Sequence, residues 1–234
     1  MIRLTLADRQ GLAAAQDAVA KWHYLHTAVD SRCSPVAYLA MLEGKAIGCL
    51  IFGRPESTRC YQGGLTYGSL ADVQAGRAQF DRWEILNLAR VWFDPRVQKG
   101  GIWYRPDLLP GYTNRHGQWF STLASWSIRQ ALTTIGNDYL SQKPPVFVHE
   151  PYEIKAVLSY CDTRLHKGTI YRAAGFGLAR TNERSIETYW TPNVAPLTPY
   201  QHDRTANAIL MRYAELMDNR PATVENVLVQ ESML

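Results

Sequence analysis

The chain has 234 residues, 46% of them hydrophobic and 20% charged, and its 25 Lys and Arg residues exceed its 21 Asp and Glu residues. These proportions are typical of a globular protein with a sizeable core and exclude disorder of the whole chain. No apolar run reaches the roughly 18 residues of a membrane-spanning helix, and the first residues lack the pattern of a secretory signal. We therefore expect a cytoplasmic protein without a membrane partner, whose mild positive charge permits an anionic partner.

The first half of the sequence predicts a strand, a helix and a hairpin. Residues 1–6 alternate as a short strand does, and residues 7–19 carry apolar side chains at helical spacing. A segment dense in ring side chains, residues 21–26, then leads into a polar loop. Two apolar runs, residues 36–42 and 46–52, are joined by a short turn containing a glycine, which predicts an antiparallel hairpin.

The second half predicts the rest of one domain, interrupted by a long insertion at residues 95–117. Residues 82–94 alternate up to Pro95 as a central strand does, and residues 118–132 carry one apolar helical face. The remaining predicted elements are a short helix near 70–75, strands at 146–149, 156–161 and 188–190, and a helix start at 168–174. We assign residues 1–190 to one domain, 191–199 to a Pro-rich linker, and 200–234 to a C-terminal helix and tail.

The ring-rich segment contains the first candidate site residues. His23, Tyr24 and His26 could supply a general base, a proton shuttle or metal ligands. Rings in a loop also serve ordinary packing and hydrogen bonding, so this alternative stays open for the segment.

Asp162 and Tyr171 are the second pair of candidates. Asp162 directly follows an apolar strand, and groups at strand ends commonly face the ligand in open sheets. A capping role for this aspartate is the structural alternative. Tyr171 lies one helical turn after a glycine-led helix start, where a phenol could donate a proton or, with a lowered pKa, accept one.

The insertion interleaves cations with aromatic rings. Cations bind phosphates and rings stack on unstacked bases, so the segment is a candidate nucleic-acid surface. A solvated loop anchored by buried rings is the alternative. The residues expected to contact DNA are Arg96, Lys99, Trp103, Arg105 and Arg115.

The order of these elements, together with three short motifs, resembles the GNAT N-acyltransferase fold. The motifs are His23-Tyr24, Leu88-Ala89-Arg90-Val91 with Asp94-Pro95, and Ser159-Tyr160-Cys161-Asp162 with His166-Lys167-Gly168-Thr169-Ile170-Tyr171. In these motifs the chain looks like the phage Mom family. Proteins of that family convert adenine to N6-carbamoylmethyladenine and so protect phage DNA from restriction. The last motif is the most specific, and the resemblance covers residues 20–190.

The resemblance implies an α/β (α+β) protein with a GNAT-like central sheet. The sheet would be mixed but mostly antiparallel and flanked by helices, with residues 1–190 forming the catalytic domain. The implied activity is hypermodification of adenine N6 in double-stranded DNA by a phage- or prophage-encoded enzyme in a bacterial cytoplasm. The resemblance leaves the oligomeric state open, with a dimer as one option.

The resemblance also implies which residues carry the chemistry. The implied catalytic residues are His23, Tyr24, Arg90, Asp162 and Tyr171, with Ser121 added from its position alone. His, Tyr and carboxylate side chains are suitable ligands for iron, so His23, Tyr24, Asp162 and Tyr171 are candidate metal ligands.

One feature departs from the wider GNAT pattern. The pyrophosphate loop, Arg or Gln followed by x-x-Gly-x-Gly or Ala, is absent in that form between the Arg90 strand and the next helix. Backbone N–H groups of such a loop normally bind the phosphates of CoA, so its absence argues against acetyl-CoA as the cofactor. Two alternatives stay open: an acyl-CoA-dependent N-acyltransferase acting on a small amine or peptide, and a DNA-binding module without catalytic activity.

Overall fold

The structure is a computed structural model that describes residues 2–42, 44–60, 63–94, 123–143 and 153–192. Within these ranges the elements are, in chain order, β1 (Ile2–Leu6), α1 (Arg9–Trp22), β2 (Val36–Leu42), β3 (Lys45–Gly53), β4 (Tyr67–Gly68), α2 (Leu70–Gln74), β5 (Phe80–Asp81), β6 (Ile85–Phe93), α3 (Leu123–Leu132), α4 (Ile135–Gln142), β7 (Ala156–Asp162), α5 (Thr169–Ala173), β8 (Gly177–Thr181) and β9 (Ile186–Thr191). The predicted insertion at 95–117, the strand at 146–149 and the C-terminal helix lie outside the described residues.

Seven strands form one sheet in the order β1-β2-β3-β6-β7-β9-β8, and β4 and β5 form a small separate pair. Neighbouring strands of the large sheet are antiparallel except β6 and β7, which are parallel. A mixed, mostly antiparallel sheet flanked by helices is the fold class expected from the sequence, which is therefore confirmed. In the described part of the chain, no helix combines the length and apolarity needed to cross a bilayer.

The sheet is covered by hydrophobic side chains on both faces because alternate residues of each strand point to opposite sides. On one face, α3, α4 and α5 contribute Trp126, Ile135 and Tyr171 to the largest core cluster. On the other face, α1 packs Ala15 and Val19 against β2, β3 and β6. The central strands of the sheet are thus held between two packed layers.

The elements differ from their predicted limits for local reasons. The strand predicted at 82–94 begins only at Ile85, because Arg82–Glu84 form a 3₁₀ turn. The Asp81 carboxylate accepts a hydrogen bond from the Trp83 N–H and caps this turn. Strand β8 has no sequence prediction because it is a largely exposed edge strand without a clear apolar alternation.

The parallel strands β6 and β7 separate after a short common stretch. Their ladder joins Ile85–Asn87 to Ala156–Leu158 and ends there. Beyond this β6–β7 divergence, β6 continues beside β3 and β7 beside β9. A β-bulge at Ala89 shifts the β3–β6 register between Leu88 and Arg90, and bulges re-aim the following side chains. The divergence therefore opens between the segments that carry Arg90 and Asp162.

Candidate active site at the divergence of two parallel strands

The end of α1 delivers His23 and Tyr24. The His23 N–H closes the helix on the Val19 carbonyl (3.0 Å), and His23 itself has extended backbone angles, so the chain turns away from the helix axis there. The Leu25 N–H donates to Nδ1 of His23 (3.2 Å) and fixes the ring. In the neutral imidazole this hydrogen bond assigns the proton to Nε2, so that nitrogen is a donor.

Three rings connect the end of α1 to the loop after β7. The centroids of His23 and Tyr24 are 4.3 Å apart, and those of Tyr24 and His166 are 4.8 Å apart in an edge-to-face contact. The edge-to-face contact of Tyr24 and His166 is favourable because the positive ring edge meets the negative ring face. Residues separated by more than 140 positions in the sequence are therefore brought into one cluster.

Arg90 reaches the same cluster from β6. Its guanidinium donates to the Thr27 carbonyl (3.2 Å), the Thr27 hydroxyl (3.1 Å) and the Ala89 carbonyl (2.8 Å). These bonds orient a cation beside the rings at the end of α1. Burial lowers the pKa of His23, and the Arg90 charge lowers it further.

Asp162 ends β7 and is held by Arg164. The Arg164 Nε and Nη2 atoms donate to the two carboxylate oxygens (2.9 and 2.6 Å), and the Arg164 N–H also donates to Oδ1 (3.0 Å). These hydrogen bonds keep the pKa of Asp162 below its usual range, so the side chain is a carboxylate at neutral pH. The capping alternative considered from the sequence is therefore present in the structure.

Tyr171 lies buried on α5, stacked on Tyr189 with ring centroids 5.4 Å apart. Burial raises the pKa of the Tyr171 phenol, and a hydrogen bond with Ser159 partly opposes this effect. The phenol is thus protonated at neutral pH. The raised pKa argues against action of Tyr171 as a base and leaves the protonated phenol as a hydrogen-bond donor.

A glycine is required between Asp162 and Tyr171 for a steric reason. Gly168 adopts a left-handed conformation (φ +63°), and an added Cβ would overlap the Tyr189 hydroxyl. Arg172 donates to that hydroxyl (2.7 Å) and to the Lys167 carbonyl, which ties the loop to β9. The most specific sequence motif therefore encodes the packing that sets Tyr171 beside Tyr189.

The neutral state of His23 has a measurable consequence. Burial and neighbouring cations lower the pKa of His23 to about 4, whereas the unfolded chain titrates near 6.5. The unfolded state binds more protons between these values, so the free energy of unfolding should fall as pH drops from about 6.5 towards 4. NMR titration should give a midpoint near 4 for His23. His23→Gln should lose this part of the pH dependence; an unchanged profile would contradict the assignment.

Three of the four expected metal ligands, His23, Asp162 and Tyr171, are held in other interactions. The His23 Nδ1 accepts from the Leu25 N–H, both Asp162 oxygens accept from Arg164, and the Tyr171 phenol is buried and protonated. Within the described ranges, no three His, Cys, Asp or Glu side chains are grouped as a metal site requires. As arranged, these donors do not fit an iron ion, which would require Arg164 to leave Asp162. Iron binding stays a prediction for metal analysis of the purified protein.

The structure brings five of the six implied catalytic residues to one region, namely His23, Tyr24, Arg90, Asp162 and Tyr171. Ser121 and the five residues expected to bind DNA, Arg96, Lys99, Trp103, Arg105 and Arg115, lie outside the described residues. Arg164 and His166 also belong to this region, which we call the cluster. The sequence motifs do not indicate these two as site residues. The Asp-x-Arg spacing was a usable signal for Arg164, because the same pattern forms the same pairing at Asp30 and Arg32.

Comparisons with known proteins concern the fold. No protein family matches the sequence, and no curated protein does. A solved structure described as an acetyltransferase of the GNAT family from Desulfovibrio desulfuricans is 12% identical, with 83% of this chain and 100% of that chain covered and a TM-score of 0.40. A probable acetyltransferase from Staphylococcus epidermidis is 9% identical, with 81% and 96% covered and a TM-score of 0.37. The AHL synthase LasI is 12% identical, with 81% and 87% covered and a TM-score of 0.37.

Proposed function

We propose that the protein is an enzyme that modifies adenine at N6 in DNA, adding a carbamoylmethyl group as Mom proteins do, and so protects phage DNA from restriction. One observation carries the proposal. His23, Tyr24, Arg90, Asp162 and Tyr171, which come from four separate parts of the chain, meet beside the β6–β7 divergence. The resemblance implies these residues from short sequence motifs, which contain no information about their positions in space.

The chemistry of adenine suits this set of side chains. The N6 amine is a weak nucleophile because its lone pair is delocalised into the ring, so attack requires a group that accepts the N6 proton. Asp162 is the carboxylate of the cluster and takes that role once Arg164 releases it. The new N–C bond forms at the methylene carbon of an activated carbamoylmethyl donor, whose leaving group departs with its bonding electrons.

The other side chains of the cluster supply hydrogen bonds and a positive charge. Neutral His23 donates a hydrogen bond from its Nε2–H, and the Tyr171 phenol donates one to the departing group or to a carbonyl oxygen. Arg90 supplies a fixed positive charge next to Tyr24. Since the reacting atoms must approach within about 3 to 3.5 Å, the adenine has to leave the base stack to reach these groups.

A second candidate function keeps the fold but changes the substrate. Beyond Asn87 and Leu158, β6 and β7 leave their common ladder, and the Ser159 hydroxyl donates to the Leu88 carbonyl (2.8 Å) where the two strands begin to separate. An extended molecule with amide groups, such as the pantetheine arm of an acyl-CoA, can pair with free strand edges. This feature favours an N-acyltransferase acting on a small amine or peptide. Calorimetry with acetyl-CoA separates the two candidates, because tight binding supports the second.

Restriction digestion tests the first candidate in cells. Plasmid from bacteria that express the protein should resist enzymes whose recognition sites contain adenine, because an N6 substituent blocks contacts in the major groove. Enzymes with sites made only of G·C pairs should cut the same plasmid normally, which serves as the control. Cleavage at adenine-containing sites equal to that of plasmid from cells without the protein would count against the proposal.

A further inference from the structure

Two short exposed segments flank the cluster. We propose that they form a platform on which unstacked nucleotides of a DNA strand lie, an inference that rests on the proposed function. We call this platform the site rim. It consists of Lys21, Trp22, Tyr24 and Leu25 at the end of α1, and Arg164, Leu165 and Lys167 in the loop after β7.

The site rim exposes an unusual amount of apolar surface. The exposed fractions are 40% for Trp22, 38% for Tyr24, 46% for Leu25 and 59% for Leu165. Single exposed apolar residues are ordinary on protein surfaces, but a group of large ones beside a candidate site indicates a binding surface. The Tyr24–His166 ring contact at 4.8 Å connects the two segments, so they form one surface.

The charges of the site rim favour a nucleic acid as its occupant. The Lys21 ammonium lies 5.0 Å from the centre of the Trp22 ring, and the Arg164 side chain is 69% exposed. Residues 21–26 and 163–168 contain three Lys or Arg and no Asp or Glu. Cations among exposed rings match phosphates among bases, which is the pattern of surfaces that bind single strands.

Arg164 connects the site rim to the cluster. Its guanidinium pairs with Asp162, whose side chain is only 12% exposed, while its own side chain is largely accessible. A DNA phosphate bound at the rim competes with Asp162 for this guanidinium. Strand binding therefore releases the carboxylate when a base enters, and without a strand Arg164 stays paired with Asp162.

Binding of a fluorescent single-stranded oligonucleotide tests the site rim independently of catalysis. Trp22→Ala should weaken binding at least about 5-fold, because stacking on one aromatic side chain contributes about 1–3 kcal/mol per base. Trp83→Ala is the matched control, since Trp83 is 39% exposed and carries a cation, Arg82, at 4.5 Å from its ring but lies outside the rim. Circular dichroism and thermal unfolding should show both variants folded.

A charge variant adds a second measurement. The slope of log K against log salt concentration is negative, and Lys167→Gln should reduce its magnitude by about 0.7. If Trp22→Ala and Trp83→Ala bind as the wild type does while cells still contain modified adenine, the rim proposal is wrong and the proposed function stands. If the wild type binds no DNA and cells contain no modified adenine, both are wrong.

Discussion

Asp162→Asn is expected to lower the amount of modified adenine in plasmid DNA by at least about 100-fold, since loss of a general base costs that much or more. Asparagine has the same shape as aspartate but cannot accept the proton that N6 loses. It also cannot hold Arg164 with two charge-assisted bonds, so the loop after β7 loses an anchor. The readout is the ratio of modified to unmodified deoxyadenosine in digested plasmid.

The chain supplies a closely matched control in Asp30. Asp30 and Arg32 repeat the arrangement of Asp162 and Arg164: the arginine N–H and guanidinium donate to the aspartate two residues earlier. Asp30→Asn therefore removes an equivalent ion pair outside the cluster and should leave modification near the wild-type level. Equal activity of the two variants would show that Asp162 has only a local structural role.

Gly168→Ala is expected to lower the free energy of unfolding by about 3 kcal/mol, through the left-handed backbone and through overlap with a packed ring. The new Cβ would meet the Tyr189 hydroxyl, which is fixed by Arg172 and Glu187. Because Tyr171 stacks on Tyr189, the displacement reaches the cluster. Urea denaturation measures the change in stability, and the adenine assay measures its effect on function.

Gly76→Ala separates the two causes. Gly76 has a similar backbone angle (φ +68°), but an added Cβ there meets no atom within 4 Å. This variant should therefore carry only the backbone cost, about 1 kcal/mol. A loss of stability in Gly168→Ala no greater than in Gly76→Ala would rule out the steric account of the motif.

The extent to which the sequence predicts the fold depends on the periodicity of each element. The hairpin of β2 and β3 was predicted within one residue at each end, because long apolar runs and a glycine turn specify it together. Helix α4 and strand β8 were not predicted. Only two residues separate α4 from α3, and β8 is an exposed edge strand whose pattern does not alternate.

The sequence indicates candidate site residues, whose catalytic roles stay a prediction, but it does not specify their interactions. His23, Tyr24, Arg90, Asp162 and Tyr171 follow from motifs, and the structure brings them together. The bulge at Ala89, by contrast, is a property of strand pairing that no local pattern specifies. The hydrogen bond to Nδ1 of His23 and the pairing of Asp162 with Arg164 also depend on backbone geometry. These contacts decide which groups donate and which accept.

Mass spectrometry of nucleosides from plasmid DNA tests the central claim most directly. DNA from bacteria that express the wild-type protein should contain a deoxyadenosine heavier by one carbamoylmethyl group. DNA from cells that express Asp162→Asn should lack this nucleoside, although the variant protein is folded. Deoxyadenosine of ordinary mass alone, in cells that contain folded wild-type protein, would contradict the claim that this cluster modifies adenine.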